Sequence, residues 1–225
     1  MSNIQKYHPY TFSADSRISE EQMATLIGHL NSSRQPADTI LGGRTRLVSL
    51  DLPGYGPVLV KPYLRGGLIR HVNRRTHIRW GTSRPRAEFD RLNQVRQIGV
   101  NAPDPVVVIT RGGRFYQGWL VTRFIEQCRS LAELSRIDPV GARAVLDDLG
   151  RQVAILIDHR ILHTDLHPGN VLVGPGTEVY LIDFDKTRTD IRNRLTLRRR
   201  YRKRWHRAIV KYKLPTWLDA AMDID

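Results

Sequence analysis

Cysteine is almost absent from this chain. Cys128 is the one thiol among 225 residues, which excludes an internal disulfide and fits a reducing compartment. Long apolar runs are missing too. None approaches the roughly 20 residues that a membrane helix needs. Met1 to Tyr10 is polar where a secretory leader would carry its apolar core, so neither leader nor span is expected and the chain reads as soluble or peripheral. There is no internal repeat. Acidic residues are scarce in one place only. From Lys186 to Lys213 thirteen Lys or Arg face one acid, Asp190, for a net +12; elsewhere 23 basic and 21 acidic residues leave +2 of the total +14. The body of the molecule is therefore nearly neutral, and one segment suits an anionic partner such as a phospholipid surface, a nucleic acid or an acidic glycan. Hydrophobic residues at 40% are ordinary for a folded domain and exclude wholesale disorder.

The patterning alternates between strand and helix. Ser19 and Gln22 form a capping box ahead of a helical face of Met23, Leu26, Ile27 and Leu30. Leu47, Val48 and Leu50, then Val58 to Lys61, flank the turn residues Pro53 to Pro57 and predict a hairpin. Ser83 and Pro85 start a helix that runs to Ile98. Val106 to Ile109 and Trp119 to Thr122 predict two more strands around Arg111-Gly112-Gly113. Val145, Leu149, Val153 and Leu156 recur at helical spacing. Two short strands, Val171 to Val173 and Val179 to Ile182, follow. The expected fold class is α+β, strand-rich first and helical later.

The chemistry is concentrated in His163-Thr164-Asp165-Leu166-His167-Pro168-Gly169-Asn170 and Leu181-Ile182-Asp183-Phe184-Asp185. The first run matches the H-x-D-L-x-x-x-N pattern of kinase catalytic loops, and the second resembles the Asp-Phe-Gly metal site with Asp185 in place of glycine. Phosphoryl transfer needs a carboxylate beside the acceptor hydroxyl, a role that suits Asp165. It also needs oxygen ligands for Mg²⁺ on the nucleotide phosphates, which suits Asn170 and Asp183. A single His-x-Asp would be an ordinary turn; the whole ordered set is far more specific. His163 reads as a brace for the loop. His167 either touches the transferring phosphate or faces solvent. A metal-hydrolase reading of His163, Asp165 and His167 would require a second ligand pair, which is missing. Upstream, Lys61 ends a strand where an ammonium reaches the α- and β-phosphates of ATP, and Glu88 lies 27 residues on, placed to pair with it. Asp90 is a weaker rival. Gly42 and Gly43 form a candidate phosphate-covering turn, and Thr122 to Glu126 a candidate hinge.

The chain resembles the lipopolysaccharide kinases, and among them those acting on 3-deoxy-D-manno-octulosonic acid (Kdo). The resemblance rests on Leu41 to Arg44, Val58 to Lys61 with Tyr63 to Leu68, Ser83-Arg84 with Ala87 to Phe89, Gly99-Val100 with Ala102-Pro103 and Pro105, His163 to Asn170, and Leu181 to Lys186. It implies a bilobal protein-kinase-like fold, with residues 1–37 an N-terminal extension, 38–122 the N-lobe and 123–225 the C-lobe including the basic segment 186–213. It implies transfer of the ATP γ-phosphate to a Kdo hydroxyl, typically the 4-position, on Kdo-lipid A at the cytoplasmic face of a Gram-negative inner membrane. It also implies Asp165 as base, Asn170 and Asp183 as Mg²⁺ ligands, and Lys61 with Glu88 as the phosphate anchor. Heptose kinases of the same core pathway share many of these features. A small-molecule or atypical protein kinase is disfavoured by Asp185 and by Arg65-Gly66-Gly67. Nucleic-acid binding through the basic segment would leave Asp165, Asn170 and Asp183 without a task.

Within that segment Leu197, Tyr201, Trp205, Ile209 and Tyr212 recur every three or four residues, with Arg198, Arg199, Arg202, Lys203 and Arg207 on other faces. The stripe is expected to pack inward. A run so one-sided in charge repels itself and is expected to meet an anionic partner such as lipid or the lipid A phosphates.

Overall fold

The computed structural model describes residues 3–32, 48–63, 77–78, 81–189 and 193–224. It divides into two compact units, Met1–Asp90 with Asp104–Phe124, and Arg91–Pro103 with Ile125–Asp225.

The first unit contains β1 (Asn3–Tyr7), β2 (Tyr10–Ala14), α1 (Glu20–Asn31), β3 (Val48–Leu52), β4 (Gly56–Pro62), β5 (His77–Ile78), the start of α2 (Arg84–Gln97), β6 (Pro105–Gly112) and β7 (Phe115–Arg123). The strands make one antiparallel sheet in the order β1-β2-β6-β7-β4-β3, with β5 also on β7. Residues 3–14, for which no strand was expected, thus join the sheet through β2 and β6. Tyr10, Phe12 and Ala14 alternate inward, the period a half-buried strand requires, and join Leu52, Val58, Val107, Ile109 and Val121 in the core. The expected capping box is present: the Ser19 hydroxyl accepts from the Gln22 N–H, and the Gln22 side chain accepts from the Ser19 N–H at 2.8 Å. It starts α1 so that Met23 and Leu26 enter the same core.

The predicted β3–β4 hairpin pairs Leu50 with Val58, and β4 pairs in turn with β7, Lys61 opposite Leu120. α2 begins against β7. A Cβ on Gly118 would lie 2.9 Å from Pro85 Cγ, so only glycine lets that helix start so close. The buried side of α2 carries Glu88, Phe89, Leu92 and Val95.

The second unit contains β8 (Arg129–Ser130), α3 (Leu131–Ile137), α4 (Pro139–Ala144), α5 (Leu146–Asp158), β9 (Ile161–Leu162), β10 (Val171–Val173), β11 (Val179–Leu181), β12 (Arg188–Thr189), α6 (Arg194–Lys211) and a closing 3-10 helix at Thr216–Met222. Side-chain caps start α3 and α4: the Glu133 N–H donates to Ser130 Oγ, and the Gly141 N–H to Asp138 Oδ1. α5 buries Leu149, Val153 and Leu156; α6 buries Leu197, Tyr201, Trp205 and Ile209, four of the five stripe residues. The Trp205 indole N–H donates to the Leu218 carbonyl at 2.8 Å, fastening the closing helix to α6. This two-unit α+β arrangement, sheet first and helices after, is of the protein-kinase-like kind expected from the sequence. No described helix is long and apolar enough to cross a membrane.

Candidate active site

Strand pairing in the second unit brings two loops together. β10 pairs with β11 (Val171 with Leu181), and β9 pairs with β12 (Leu162 with Arg188). The segment 163–170 runs from β9 to β10 and 182–187 from β11 to β12, so the two lie side by side. The Ile182 N–H donates to the Asn170 carbonyl at 3.1 Å, joining them directly. Asp165 and Asn170 on one loop and Asp183 on the other are thereby neighbours.

His163 holds this junction. It is fully buried, its Nε2 lies 2.9 Å from the Ile182 carbonyl, and its Nδ1 accepts from the Asp165 N–H at 3.2 Å. One nitrogen donates and the other accepts, so the ring is the neutral Nε2–H tautomer. Burial lowers its pKa, outweighing the opposing pull of the Ile182 hydrogen bond and of Asp183 and Asp165. Phe184 packs on the ring in a T-shaped contact at 4.6 Å. With both nitrogens engaged, His163 is a brace and not a metal ligand. Among the described residues no group of three His, Cys, Asp or Glu could hold a metal, so the hydrolase alternative finds no ligand set.

The Asn170 amide nitrogen donates to the Asp165 carbonyl at 2.8 Å, which leaves its oxygen as the atom able to bind a cation. Asp183 has a left-handed backbone, φ 66°. Among residues with a Cβ, Asp and Asn tolerate that region best. An amide oxygen and a carboxylate are hard donors of the kind Mg²⁺ takes alongside waters and substrate phosphates, so the residues fit that ion. His167 Nδ1 accepts from the Gly169 N–H at 3.0 Å, and its ring leans on Tyr212, 5.7 Å between centroids. A Cβ on Gly169 would come within 2.9 Å of that ring, so a larger residue there would displace the His167 side chain.

Two side chains of α6 reach the loop, and neither belongs to a sequence motif of the site. The Tyr201 hydroxyl accepts from the His163 N–H at 2.8 Å and donates to the Ile161 carbonyl at 2.9 Å; burial pushes its pKa up. Arg204 binds Asp165 Oδ1 at 2.5 Å, both side chains 38% exposed. These contacts span 38 and 39 residues of chain, and no local pattern announces them. Tyr201 stood in the apolar stripe and Arg204 among many cations; the one available signal was a hydroxyl on an otherwise inward-facing stripe.

In the first unit Lys61 Nζ lies 3.0 Å from both Glu88 carboxylate oxygens. Glu88 is buried at 3% while Lys61 keeps 30% exposure, so the cation is held by a fixed carboxylate with one side still accessible. The Tyr63 hydroxyl also bonds Glu88 Oε2, a partner missed in the sequence. Asp90, the rival carboxylate, pairs instead with Arg86 at 2.7 Å. Gly42 and Gly43, like Arg65 to Gly67, lie outside the described residues.

Comparison with known proteins gives the same direction. The model of the lipopolysaccharide kinase (Kdo/WaaP) family matches residues 43–214. A protein of Xanthomonas axonopodis pv. citri named 3-deoxy-D-manno-octulosonic acid kinase is 32% identical over 182 residues, 80% of this chain and 71% of the relative. Proteins of the same name from Vibrio cholerae and Vibrio vulnificus are 29% and 32% identical over 130 residues. Those matches take in 56% of this chain and 55% of each relative, so the chain spans about half the length of the Vibrio proteins it matches. With a family model covering most of its length and a kinase-type pair of loops at its centre, the chain belongs to the lipopolysaccharide kinase (Kdo/WaaP) family.

Proposed function

We propose that this chain is an ATP-dependent kinase that phosphorylates a Kdo sugar, at the 4-hydroxyl, of the lipopolysaccharide inner core carried on lipid A. The observation that supports it most is the junction of Asp165, Asn170 and Asp183, braced by His163, in a chain similar to proteins named for Kdo phosphorylation. Asp165 accepts the proton of the acceptor hydroxyl as its oxygen forms a bond to the γ-phosphorus of ATP and the bond to the departing ADP breaks. Arg204 engages Oδ1, so Oδ2 is the oxygen for that proton. Asn170 and Asp183 would hold Mg²⁺, which when bound offsets charge on the nucleotide phosphates. Lys61, aligned by Glu88, holds the α- and β-phosphates.

The same reading places the protein at the cytoplasmic face of the inner membrane of a Gram-negative cell. α6 exposes Arg199, Arg202 and Lys203 together with the apolar Leu195 and Val210, a combination suited to an anionic lipid surface. Nucleic acid is not the expected partner.

The test is mass spectrometry of Kdo-lipid A after incubation with the protein, Mg²⁺ and ATP. One added phosphate on the Kdo unit, absent with Asp165→Ala, is the expected result. No addition by a protein that binds Mg-ATP would overturn the acceptor and direct attention to heptosylated core.

A further inference from the structure

Beside Asp165 lies a hollow of about 270 Å³, lined by Asp165, Leu166, His167, Arg204, Arg207, Ala208, Lys211 and Tyr212. It is built from the catalytic loop, one face of α6 and Tyr212 at the helix end: positions 204, 208 and 211, and 204, 207 and 211, follow at the three- and four-residue steps that share a helix face. That face is distinct from the stripe of Leu197, Tyr201, Trp205 and Ile209, which is buried. The volume is just under the roughly 300–1,000 Å³ usual for small-molecule pockets, the scale of one sugar residue.

Its electrostatics are lopsided. Three cations, Arg204, Arg207 and Lys211, face one carboxylate, Asp165. Arg204 is matched to Asp165. Arg207 Nε donates to the Lys203 carbonyl and Lys211 Nζ sits 5.1 Å from the Tyr212 ring centroid, contacts that leave both positive charges in excess. Like charges gathered around a concave surface favour an anion within it. Ala208 is the small residue between them, and Tyr212 adds an aromatic side chain to the lining.

We propose that this hollow is the acceptor subsite, and that Arg207 and Lys211, with Arg204 behind them, bind the carboxylate of the sugar acid while its hydroxyl faces Asp165. The assignment rests on the kinase reading above and adds the group that selects the acceptor. Acidic sugars place a carboxylate on the cations, whereas a neutral heptose leaves them unmatched, so the hollow discriminates between the two. Arg204 links recognition to chemistry, because the guanidinium that helps hold the acceptor also orients the base.

The experiment compares phosphate transfer to Kdo-lipid A and to the same molecule with its sugar carboxyl reduced to the alcohol, using wild type, Arg207→Gln and Lys211→Gln. The two acceptors share every lipid A phosphate and differ at one group. Each variant is expected to raise KM for the natural acceptor about tenfold, the scale of one charge-assisted contact. It should leave KM for Mg-ATP unchanged and leave the reduced acceptor, already poor for wild type, unaffected. Unchanged acceptor KM in both variants, or equal loss on both acceptors, would overturn the subsite. Wild-type protein that turns over Mg-ATP and modifies neither acceptor would overturn the sugar-acid kinase reading itself, and the subsite with it.

Discussion

At the scale of single residues, the site depends on side chains whose polar atoms are matched one to one. His163 has no spare nitrogen: one faces Ile182 and the other Asp165. Its lowered pKa makes stability pH-dependent. The unfolded chain takes up a proton near the ordinary imidazole value of 6.5, and the folded chain does so only at lower pH. Between those values the unfolded state binds more protons, so stability rises with pH. His163 thus contributes stability that is complete above 6.5 and lost as pH falls through its folded value. Thermal unfolding of His163→Gln should show a shallower fall in Tm on acidification than wild type; parallel curves would remove the assignment. Lys61 is matched to Glu88 as closely. On the proposed reading Lys61 anchors the nucleotide phosphates, so Lys61→Ala should raise KM for ATP by at least about tenfold while the acceptor KM holds. Equal nucleotide kinetics would refute its role.

At the scale of elements, periodicity was a good guide wherever one face was buried and the other wet. α5 and the inward stripe of α6 follow from three-to-four spacing, the β3–β4 hairpin and β6–β7 from short apolar runs around turn residues, and α2 from its Ser83 and Pro85 start. β2 carried the same signal in Tyr10, Phe12 and Ala14, but its partner β1 is exposed along most of its length and has no pattern to read. The short α3 and α4 rest on caps at Ser130 and Asp138 more than on an apolar face. The candidate catalytic residues were legible because the chemistry needs particular side chains at fixed spacing. The fastening of the loop to α6 was not, because a hydrogen bond from Tyr201 is a tertiary fact whose one local trace is a hydroxyl on an inward-facing stripe. Tyr201→Phe tests that fastening. It leaves the buried His163 N–H and Ile161 carbonyl without this partner, a cost of about 1–3 kcal/mol. A lower urea midpoint and a reduced kcat with unchanged ATP affinity are expected. A variant as stable and active as wild type would show that α6 only packs.

At the scale of the whole molecule, charge is the dominant property. Of the net +14, +12 lies in one segment, most of which is α6. Each cation near an anionic lipid surface contributes about 1 kcal/mol. The screening length shrinks from about 10 Å at 0.1 M salt to about 3 Å at 1 M. Sedimentation with phosphatidylglycerol vesicles should therefore capture the protein at low salt and release it at high salt, and phosphatidylcholine vesicles should not capture it. Equal capture by both would mean that Leu195 and Val210, not charge, dominate the contact.

The Tyr201 and Arg204 contacts also order events in time. Protein chains are made from the N-terminus, and early parts fold before late ones emerge. The loop bearing Asp165 is synthesised 36 residues before the tyrosine that fastens it and 39 before the arginine that grips its carboxylate. During translation the chain therefore passes through a stage in which this loop has its His163 brace but not yet its fastening to the basic helix. A nonsense codon between Lys186 and Tyr201 would yield a chain with every motif residue in place but without the contacts that α6 makes to Asp165 and to the His163 backbone.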